Sequence, residues 1–441
     1  MLPLPTRRFL GVALLVAPLL AAAGLEPWMI YVVALYLVAL AALLVLDFRL
    51  APSTSDLRVE RHHEERLSLG EANPVDLVVR WRRASGGAPL RLWARDETPA
   101  GITTDRHLLE GSISPGGEWI GHYQLRPVRR GDYRFGDAHL RVETPLGLLI
   151  RQHHHPLAAS VRVYPNLRAV RRYELLARRG RLQETGLRHA RLFGAGTEFE
   201  RLRDYQPDDD FRRIAWKATA RRRQPVTVEY ETERSQNLIL LLDTGRLMGT
   251  PIGPMQKLDY AVNAALMLAY MAAQMEDRVG LLAFSDRVDL FVPPRRGRRQ
   301  FHLLLESLYK VNSQSVESDT AAALAFLASH QQRRSLMVLF TDIEESTEAA
   351  ALVGPMGVLS RRHLPLCVTI ADPDLNRLAA ELPANSREGY EKVVAQRLLD
   401  ERRTILEQLE RYGVLSLDVP AEELTVAVVN RYLEIKARTR L

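Results

Sequence analysis

The sequence lacks the short motifs that mark several large classes of enzyme. It contains no Gly-x-x-x-x-Gly-Lys phosphate loop, no His-Glu-x-x-His zinc helix and no Gly-x-Ser-x-Gly nucleophile turn. Its single cysteine, Cys367, excludes an intramolecular disulfide and lies in an apolar run, where a buried and unreactive thiol is expected. These absences favour a protein without catalytic activity over the competing hypothesis, a hydrolase acting on envelope material.

The composition is that of a globular protein with more than one domain. The chain has 441 residues, of which 46% are hydrophobic and 26% are charged. A net charge of +7 would suit nucleic acid or an anionic membrane surface. Most of the excess is arginine spread along the chain, which is typical of a solvated surface, so we expect no nucleic-acid partner.

Two apolar segments near the amino terminus predict a transmembrane helical hairpin within residues 1–50. The first covers residues 9–25 and the second residues 28–46, with a short polar turn between them. A helix needs about 17–25 apolar residues to cross a bilayer, so the second segment spans comfortably and the first just qualifies. We therefore expect residues 9–46 to contact membrane lipid.

The charges that flank these segments predict the orientation of the hairpin. Arg7 and Arg8 precede the first segment and Arg49 follows the second, whereas the turn carries no lysine or arginine. The positive-inside rule then places both ends and the soluble domains in the cytoplasm, at the inner membrane of a bacterium. The alternative is a signal peptide cleaved near residues 21–24, which would leave one span and an external protein.

The soluble part divides into three predicted regions. Residues 51–165 carry short alternating strands with turn signals about every ten residues, which is typical of a β-sandwich. Within them, the tract His153-His154-His155 is interpreted as an exposed loop, because three adjacent side chains do not share a face. Residues 166–235 form a charged connector, and residues 236–441 alternate strands with helices, which predicts a doubly wound parallel sheet.

Two apolar runs in the last region each end on an aspartate. Residues 238–242 are followed by Asp243, and residues 336–341 are followed by Asp342. Such runs predict strands buried on both faces, and ligands bind beyond the carboxyl ends of such strands in open α/β sheets. The two carboxylates are therefore expected to converge, where they could hold one cation.

Several motifs resemble known families. Three stretches carry the resemblance: Arg130-Gly131-Asp132-Tyr133, the segment from Gly196-Thr197-Glu198-Phe199 through Tyr205-Gln206-Pro207-Asp208-Asp209 to Ile214-Ala215-Trp216, and Asp243-Thr244-Gly245-Arg246-Leu247-Met248. On these stretches, most of the chain resembles the bacterial family named domain of unknown function fifty-eight, and the last region resembles a von Willebrand factor A domain.

The resemblance implies a degenerate metal site of the A-domain type. Such a site uses Asp-x-Ser-x-Ser with a later threonine and a later aspartate, which here match Asp243, Thr320 and Asp342. The two serine positions are Gly245 and Leu247, which carry no side-chain oxygen. We therefore expect Mg²⁺ to bind weakly or no cofactor at all; the alternative is that both aspartates only cap loops and helices.

Two further acidic residues and a partner follow from the same resemblance. Asp319 or Glu344 could replace a missing ligand. Proteins of the family are typically encoded beside a MoxR-type AAA+ ATPase. This implies a membrane-anchored adaptor without enzymatic activity that contacts the ATPase or its client complex; the alternatives are the envelope hydrolase and a metal-independent scaffold of a membrane complex.

Overall fold

The computed structural model describes residues 3–82, 88–178, 199–205, 214–222, 224–230, 236–343 and 346–437. These residues form a mixed α/β chain with several sheets, as predicted. They separate into two compact units, residues 1–164 and residues 165–441.

The first unit begins with three apolar helices. After a two-residue strand β1 (Leu4–Pro5) come α1 (Arg7–Leu14), α2 (Val16–Ala23) and α3 (Met29–Leu50). By length and composition α3 can cross a membrane, and only 6% of its apolar 18-residue stretch is buried inside the protein. The first predicted span is divided at Leu15 into two helices of eight residues, so among the described residues α3 is the one helix long enough to qualify.

Three antiparallel-rich sheets form the rest of the first unit. The strand orders are β1-β11-β10-β5-β7, β2-β4-β8-β6 and β3-β12-β9. Most strands alternate buried and exposed residues, as expected for sheets with one face toward a core. The bounds are β2 (Leu57–His63), β3 (Arg66–Ser68), β4 (Asn73–Trp81), β5 (Leu90–Asp96), β6 (Ile102–Thr104), β7 (Leu109–Ile113), β8 (Glu118–Pro127), β9 (Gly131–Phe135), β10 (Ala138–Glu143), β11 (Leu149–His155) and β12 (Ala159–Tyr164).

The histidine tract does not form an exposed loop, so that prediction is wrong. His153, His154 and His155 end β11 and pair with β10. Because side chains alternate along a strand, His153 and His155 are buried while His154 is exposed. Adjacent histidines therefore split between two faces, and only one of them reaches solvent.

The second unit alternates strands and helices. Its first elements are α4 (Leu167–Arg178), β13 (Phe199–Asp204), α5 (Trp216–Arg222) and β14 (Val226–Tyr230). They lie in the predicted connector; its Gly196-Thr197-Glu198 and Asp208-Asp209-Asp210 stretches lie outside the described residues. The later elements are β15 (Asn237–Asp243), a 3₁₀ turn (Arg246–Gly249), β16 (Pro251–Ile252), β17 (Met255–Gln256), α6 (Lys257–Gln274), β18 (Arg278–Phe284), β19 (Val288–Arg295), α7 (Arg298–Lys310), α8 (Thr320–His330), β20 (Leu336–Phe340), α9 (Ser346–Ser360), β21 (Leu364–Ala371), α10 (Pro373–Ala380), α11 (Ser386–Arg411), β22 (Leu415–Pro420) and α12 (Leu424–Ala437).

A six-stranded sheet organises this unit, in the order β19-β18-β15-β20-β21-β22. Five strands run parallel, and β19 joins the edge antiparallel as the hairpin partner of β18. The chain leaves β15 toward β18 on one side, whereas β20 leads toward β21 on the other. The order therefore reverses between β15 and β20, which is the type of crevice where open α/β sheets bind ligands.

Both faces of the central strand are buried. Ile239 and Leu241 of β15 belong to a core that includes residues of α8, α9 and α11. Leu238, Leu240 and Leu242 point the other way, and α6 packs on β15 and β18. This double burial explains the unbroken apolar run and leaves the carboxyl ends of the strands as the place where polar side chains gather.

Candidate functional site

The two strand-end aspartates lie at the reversal point of the sheet. Asp243 is the last residue of β15, and Asp342 follows the neighbouring parallel strand β20 by two residues. Together with Thr320, the first residue of α8, they line one cavity of about 350 Å³. We call this cavity the rim pocket; its lining residues are Asp243, Arg246, Leu247, Glu317, Ser318, Thr320, Thr341, Asp342, Ile343, Ala351 and Leu352.

Asp243 is held by neutral donors. Its carboxylate accepts hydrogen bonds from the Thr341 hydroxyl at 2.6 Å, the Gly245 backbone N–H at 2.8 Å and the Ser318 hydroxyl. Burial raises the pKa of Asp243 despite these three hydrogen bonds, and the nearby charge of Asp342 acts in the same direction. The folded site therefore disfavours the ionised form of this carboxyl group.

Asp342, in contrast, is held by two cations. It pairs with the ammonium group of Lys257 and, at 2.7 Å, with the guanidinium group of Arg402. Burial alone would raise the pKa of Asp342, but the charges of Arg402 and Lys257 outweigh burial and hold this pKa below its usual value. The two neighbouring carboxyl groups thus have pKa values shifted in opposite directions, raised for Asp243 and lowered for Asp342.

Arg402 connects the pocket to the rest of the sheet. From the long helix α11 it also pairs with Asp418 of β22 at 2.9 Å and donates to the Ile370 carbonyl of β21 at 2.9 Å. Its guanidinium group therefore links three strands at their carboxyl ends. The five donors of a planar guanidinium group suit such a multiple contact.

Lys257 reaches Asp342 from the start of α6. A positive charge at a helix amino terminus is unfavourable, because the helix dipole is positive there. The side chain is nevertheless only 3% exposed, and its contact with Asp342 compensates the cost of burial. No local pattern in the sequence pairs Lys257 with Asp342, because the two residues lie 85 positions apart.

The side chains around Asp243 and Asp342 do not fit a Mg²⁺ ion. Mg²⁺ requires near-octahedral oxygen ligands, several of them free to face the metal. Both carboxylates are already engaged, Gly245 and Leu247 supply no oxygen, and no group of three His, Cys, Asp or Glu side chains suited to a metal occurs within the described ranges. Thr320 lines the pocket, but the neighbouring side chains do not form a set of metal ligands that its hydroxyl could complete.

One of the two residues considered as replacement ligands, Asp319, forms a helix cap. The Asp319 carboxylate caps α8 by accepting from the Ala322 N–H at 2.8 Å. Glu344 lies outside the described residues.

The pocket lies within a segment that matches a known family. The family described as "Protein of unknown function DUF58" matches residues 201–411, which include Asp243, Lys257, Asp342 and Arg402. This match covers just under half of the chain, and residues 201–411 belong to the DUF58 family. The resemblance found in the sequence is thereby confirmed at the level of the family.

Two uncharacterized bacterial proteins are similar to parts of this chain. The uncharacterized protein Rv1480 of Mycobacterium tuberculosis is 28% identical over 182 residues, which cover 41% of this chain and 56% of that protein. The uncharacterized protein YeaD of Bacillus subtilis is 34% identical over 128 residues, covering 27% of this chain and 30% of YeaD. The matched segments thus span about half of the mycobacterial relative and less than a third of YeaD.

Two solved structures are distantly similar to parts of this chain. The conserved hypothetical protein BatB of Bacteroides thetaiotaomicron is 11% identical with a TM-score of 0.32, over 46% of this chain and all of BatB. The CARDB domain of the PF1109 protein of Pyrococcus furiosus is 15% identical with a TM-score of 0.17, over 24% of this chain and 87% of that domain.

Proposed function

We propose that this DUF58 protein is a membrane-anchored adaptor without catalytic activity, whose rim pocket contacts a protein partner. The observation that carries the proposal is the rim pocket itself, an open cavity at the sheet reversal lined by Arg246, Thr320 and two buried carboxylates. The partner we propose is a MoxR-type AAA+ ATPase or its client complex, as the family resemblance implies. We assign the second unit a von Willebrand factor A-like fold and the sheets of the first unit a β-sandwich.

The chemistry of the described residues supports a binding role over a catalytic one. Burial raises the pKa of Cys367 to about 12, so its thiolate is scarce at neutral pH. At the pocket, the carboxylate of Asp342 is committed to the cations of Lys257 and Arg402, so it is not available as a general base. An envelope hydrolase therefore remains the weaker candidate.

The anchor is proposed to cross the membrane twice. Before the first apolar segment, Leu4 and Pro5 pair with Ile150 and Leu149 of β11, and the Thr6 hydroxyl donates to the Gly147 carbonyl at 2.7 Å. After α3, the Asp47 carboxylate accepts from three groups of the same turn. Both ends of the apolar region thus meet at the β10–β11 turn, so if α3 spans the bilayer then α1 and α2 must return through it.

Lengths and charges agree with this hairpin. Residues 7–23 would extend about 25 Å as a helix, close to the roughly 30 Å of a bilayer core. The Tyr36 hydroxyl of α3 donates to the Val12 carbonyl of α1 at 2.6 Å, which joins the two arms. Arg7, Arg8 and Arg49 lie at the shared end, and the positive-inside rule places that end in the cytoplasm. Cleavage of a signal peptide would remove the β1 contact.

Co-purification tests the proposed function. The full-length protein is captured in detergent from its own host with ATP present, alongside two variants. Arg246→Glu reverses a charge that is 50% exposed at the pocket, whereas Gln332→Glu adds a charge before β20, at the opposite end of the strands. We expect an AAA+ ATPase to co-purify with wild type and with Gln332→Glu. Arg246→Glu should recover about tenfold less of this ATPase, or still less. Equal recovery by all three would contradict the role of the pocket, and recovery of no ATPase would contradict the partner.

A further inference from the structure

We propose that Lys257 is a tethered cation that takes the place of a metal ion in the rim pocket, so that the pocket is assembled without Mg²⁺. The proposal concerns the second unit alone. Only its consequence for partner binding rests on the proposed function.

The first argument is the balance of charge. Two carboxylates, Asp342 and Asp418, share two fixed cations, Lys257 and Arg402. The carboxylate of Asp243, by contrast, accepts hydrogen bonds from two hydroxyl groups and one backbone amide. A divalent ion bound between Asp243 and Asp342 would have to approach a carboxylate that already faces two positive groups, and like charges at that range repel strongly in a buried site.

The second argument is that Lys257 cannot easily withdraw. It is the first residue of α6, whose start is fixed by a capping box between Gln256 and Asp259. The helix behind it is almost wholly buried against the sheet. A lysine on the surface could swing away to admit a metal, but here the backbone and the surrounding core hold the ammonium group at Asp342.

The third argument concerns the position of the first missing serine. A side chain on Gly245 would place its Cβ 2.0 Å from the Ser318 hydroxyl oxygen. Ser318 donates that hydroxyl to Asp243. A hydroxyl from another loop therefore occupies the space beside Asp243 that a serine at position 245 would use. At position 245 the pocket therefore holds the Ser318 hydroxyl where the motif would place a serine, and at position 247 it is lined by a leucine side chain.

The consequence is a contact surface that does not depend on divalent ions. In a metal-dependent site the ion completes the surface and must be present for the partner to bind. Here Lys257 and Arg402 are covalent parts of the chain, so the carboxyl ends of β20, β21 and β22 are joined before any partner arrives. Partner binding should then respond to the nucleotide state of the partner, and not to Mg²⁺ at this pocket.

Manganese binding to the purified full-length protein, without any partner, tests the proposal. Mn²⁺ is added in detergent and the free ion is counted by electron paramagnetic resonance. We expect the same free signal with wild type and with Asp342→Asn. Stoichiometric binding by wild type that is lost in Asp342→Asn would overturn the proposal. Because no partner is present, this result is independent of whether the ATPase contact exists.

A second measurement tests the role of the lysine itself. Lys257→Met keeps the length of the side chain and removes the charge, and Lys310→Met is the matched control at an exposed lysine. We expect Lys257→Met to lower the Tm of the second unit by roughly 6–12 °C and Lys310→Met to change it little. Equal Tm values for the two variants would overturn the tethered-cation proposal.

Discussion

The ammonium group of Lys257 pairs with the carboxylate of Asp342, and neither side chain is more than 3% exposed. Breaking such a buried pair costs more than the pair itself contributes, because the remaining charge stays buried without its partner. The same geometry separates the two aspartates of the rim pocket. Asp342 is stabilised as a charged group, whereas Asp243 is not, and their variants should behave in opposite ways.

Asp342→Asn should lower the free energy of unfolding by about 3–5 kcal/mol at pH 7, because Lys257 loses its carboxylate. The pKa of Asp342 is lowered in the folded protein, so its stabilising contribution is complete above the ordinary carboxyl pKa and is lost as the pH falls through the lowered pKa. Urea unfolding of wild type and variant from pH 7 to pH 3 measures this difference. Equal stability at pH 7 would show that the pair is unimportant.

Asp243→Asn should leave the free energy of unfolding at pH 7 unchanged or up to about 1 kcal/mol higher. The pKa of Asp243 is raised, so its contribution is complete below the ordinary pKa and is lost as the pH rises through the raised pKa. Lowering the pH should therefore increase the free energy of unfolding of wild type relative to that of this variant. The same urea series measures this pH dependence. A decrease of several kcal/mol in the free energy of unfolding of the variant at pH 7 would mean that the ionised carboxylate is required.

Gly245→Ser, which restores one serine of the metal motif, should destabilise the second unit by about 1–3 kcal/mol through overpacking against Ser318. Ser318→Ala removes the obstructing hydroxyl, so the double variant should recover part of this loss. A double-mutant cycle of thermal or urea unfolding gives the coupling between the two positions. Strict additivity would contradict the close approach of these residues.

Asp47→Ala should loosen the joint between α3 and the β10–β11 turn. It removes the acceptor for the Thr144 hydroxyl at 2.5 Å, the Leu146 N–H at 2.8 Å and the Leu148 N–H at 3.2 Å. Leaving buried donors without partners should cost about 3 kcal/mol. Asp105→Ala, which removes one exposed bond to the Gln124 N–H, is the control. Limited proteolysis near residues 144–148 should accelerate only in Asp47→Ala.

The elements with strong patterns were predictable from the sequence. The apolar runs before Asp243 and Asp342 form neighbouring strands, and the predicted alternation of strands with helices includes the long apolar helix from Lys257 to Gln274. A strand that is buried on both faces produces an unbroken apolar run, and a long buried helix produces apolar residues along its whole length. Both patterns can therefore be recognised directly in the sequence.

The partners of Asp342 were not predictable in the same way. Lys257 and Arg402 lie 85 and 60 residues away along the chain, so no local spacing connects them. Their contact depends on how α6 and α11 pack on the sheet, which periodicity does not specify. The buried face of the histidine tract was missed for a related reason, since three identical residues hide the alternation of a strand.

Crosslinking from the rim pocket in living cells tests the central claim most directly. A photoreactive amino acid replaces Arg246 at the pocket or, as control, the exposed Gln332 at the other end of the strands, in the full-length membrane protein. We predict a crosslink to an AAA+ ATPase from position 246 and none from position 332. A crosslink to the ATPase from position 332 alone, or from neither position, would contradict the assignment of the rim pocket as the contact surface.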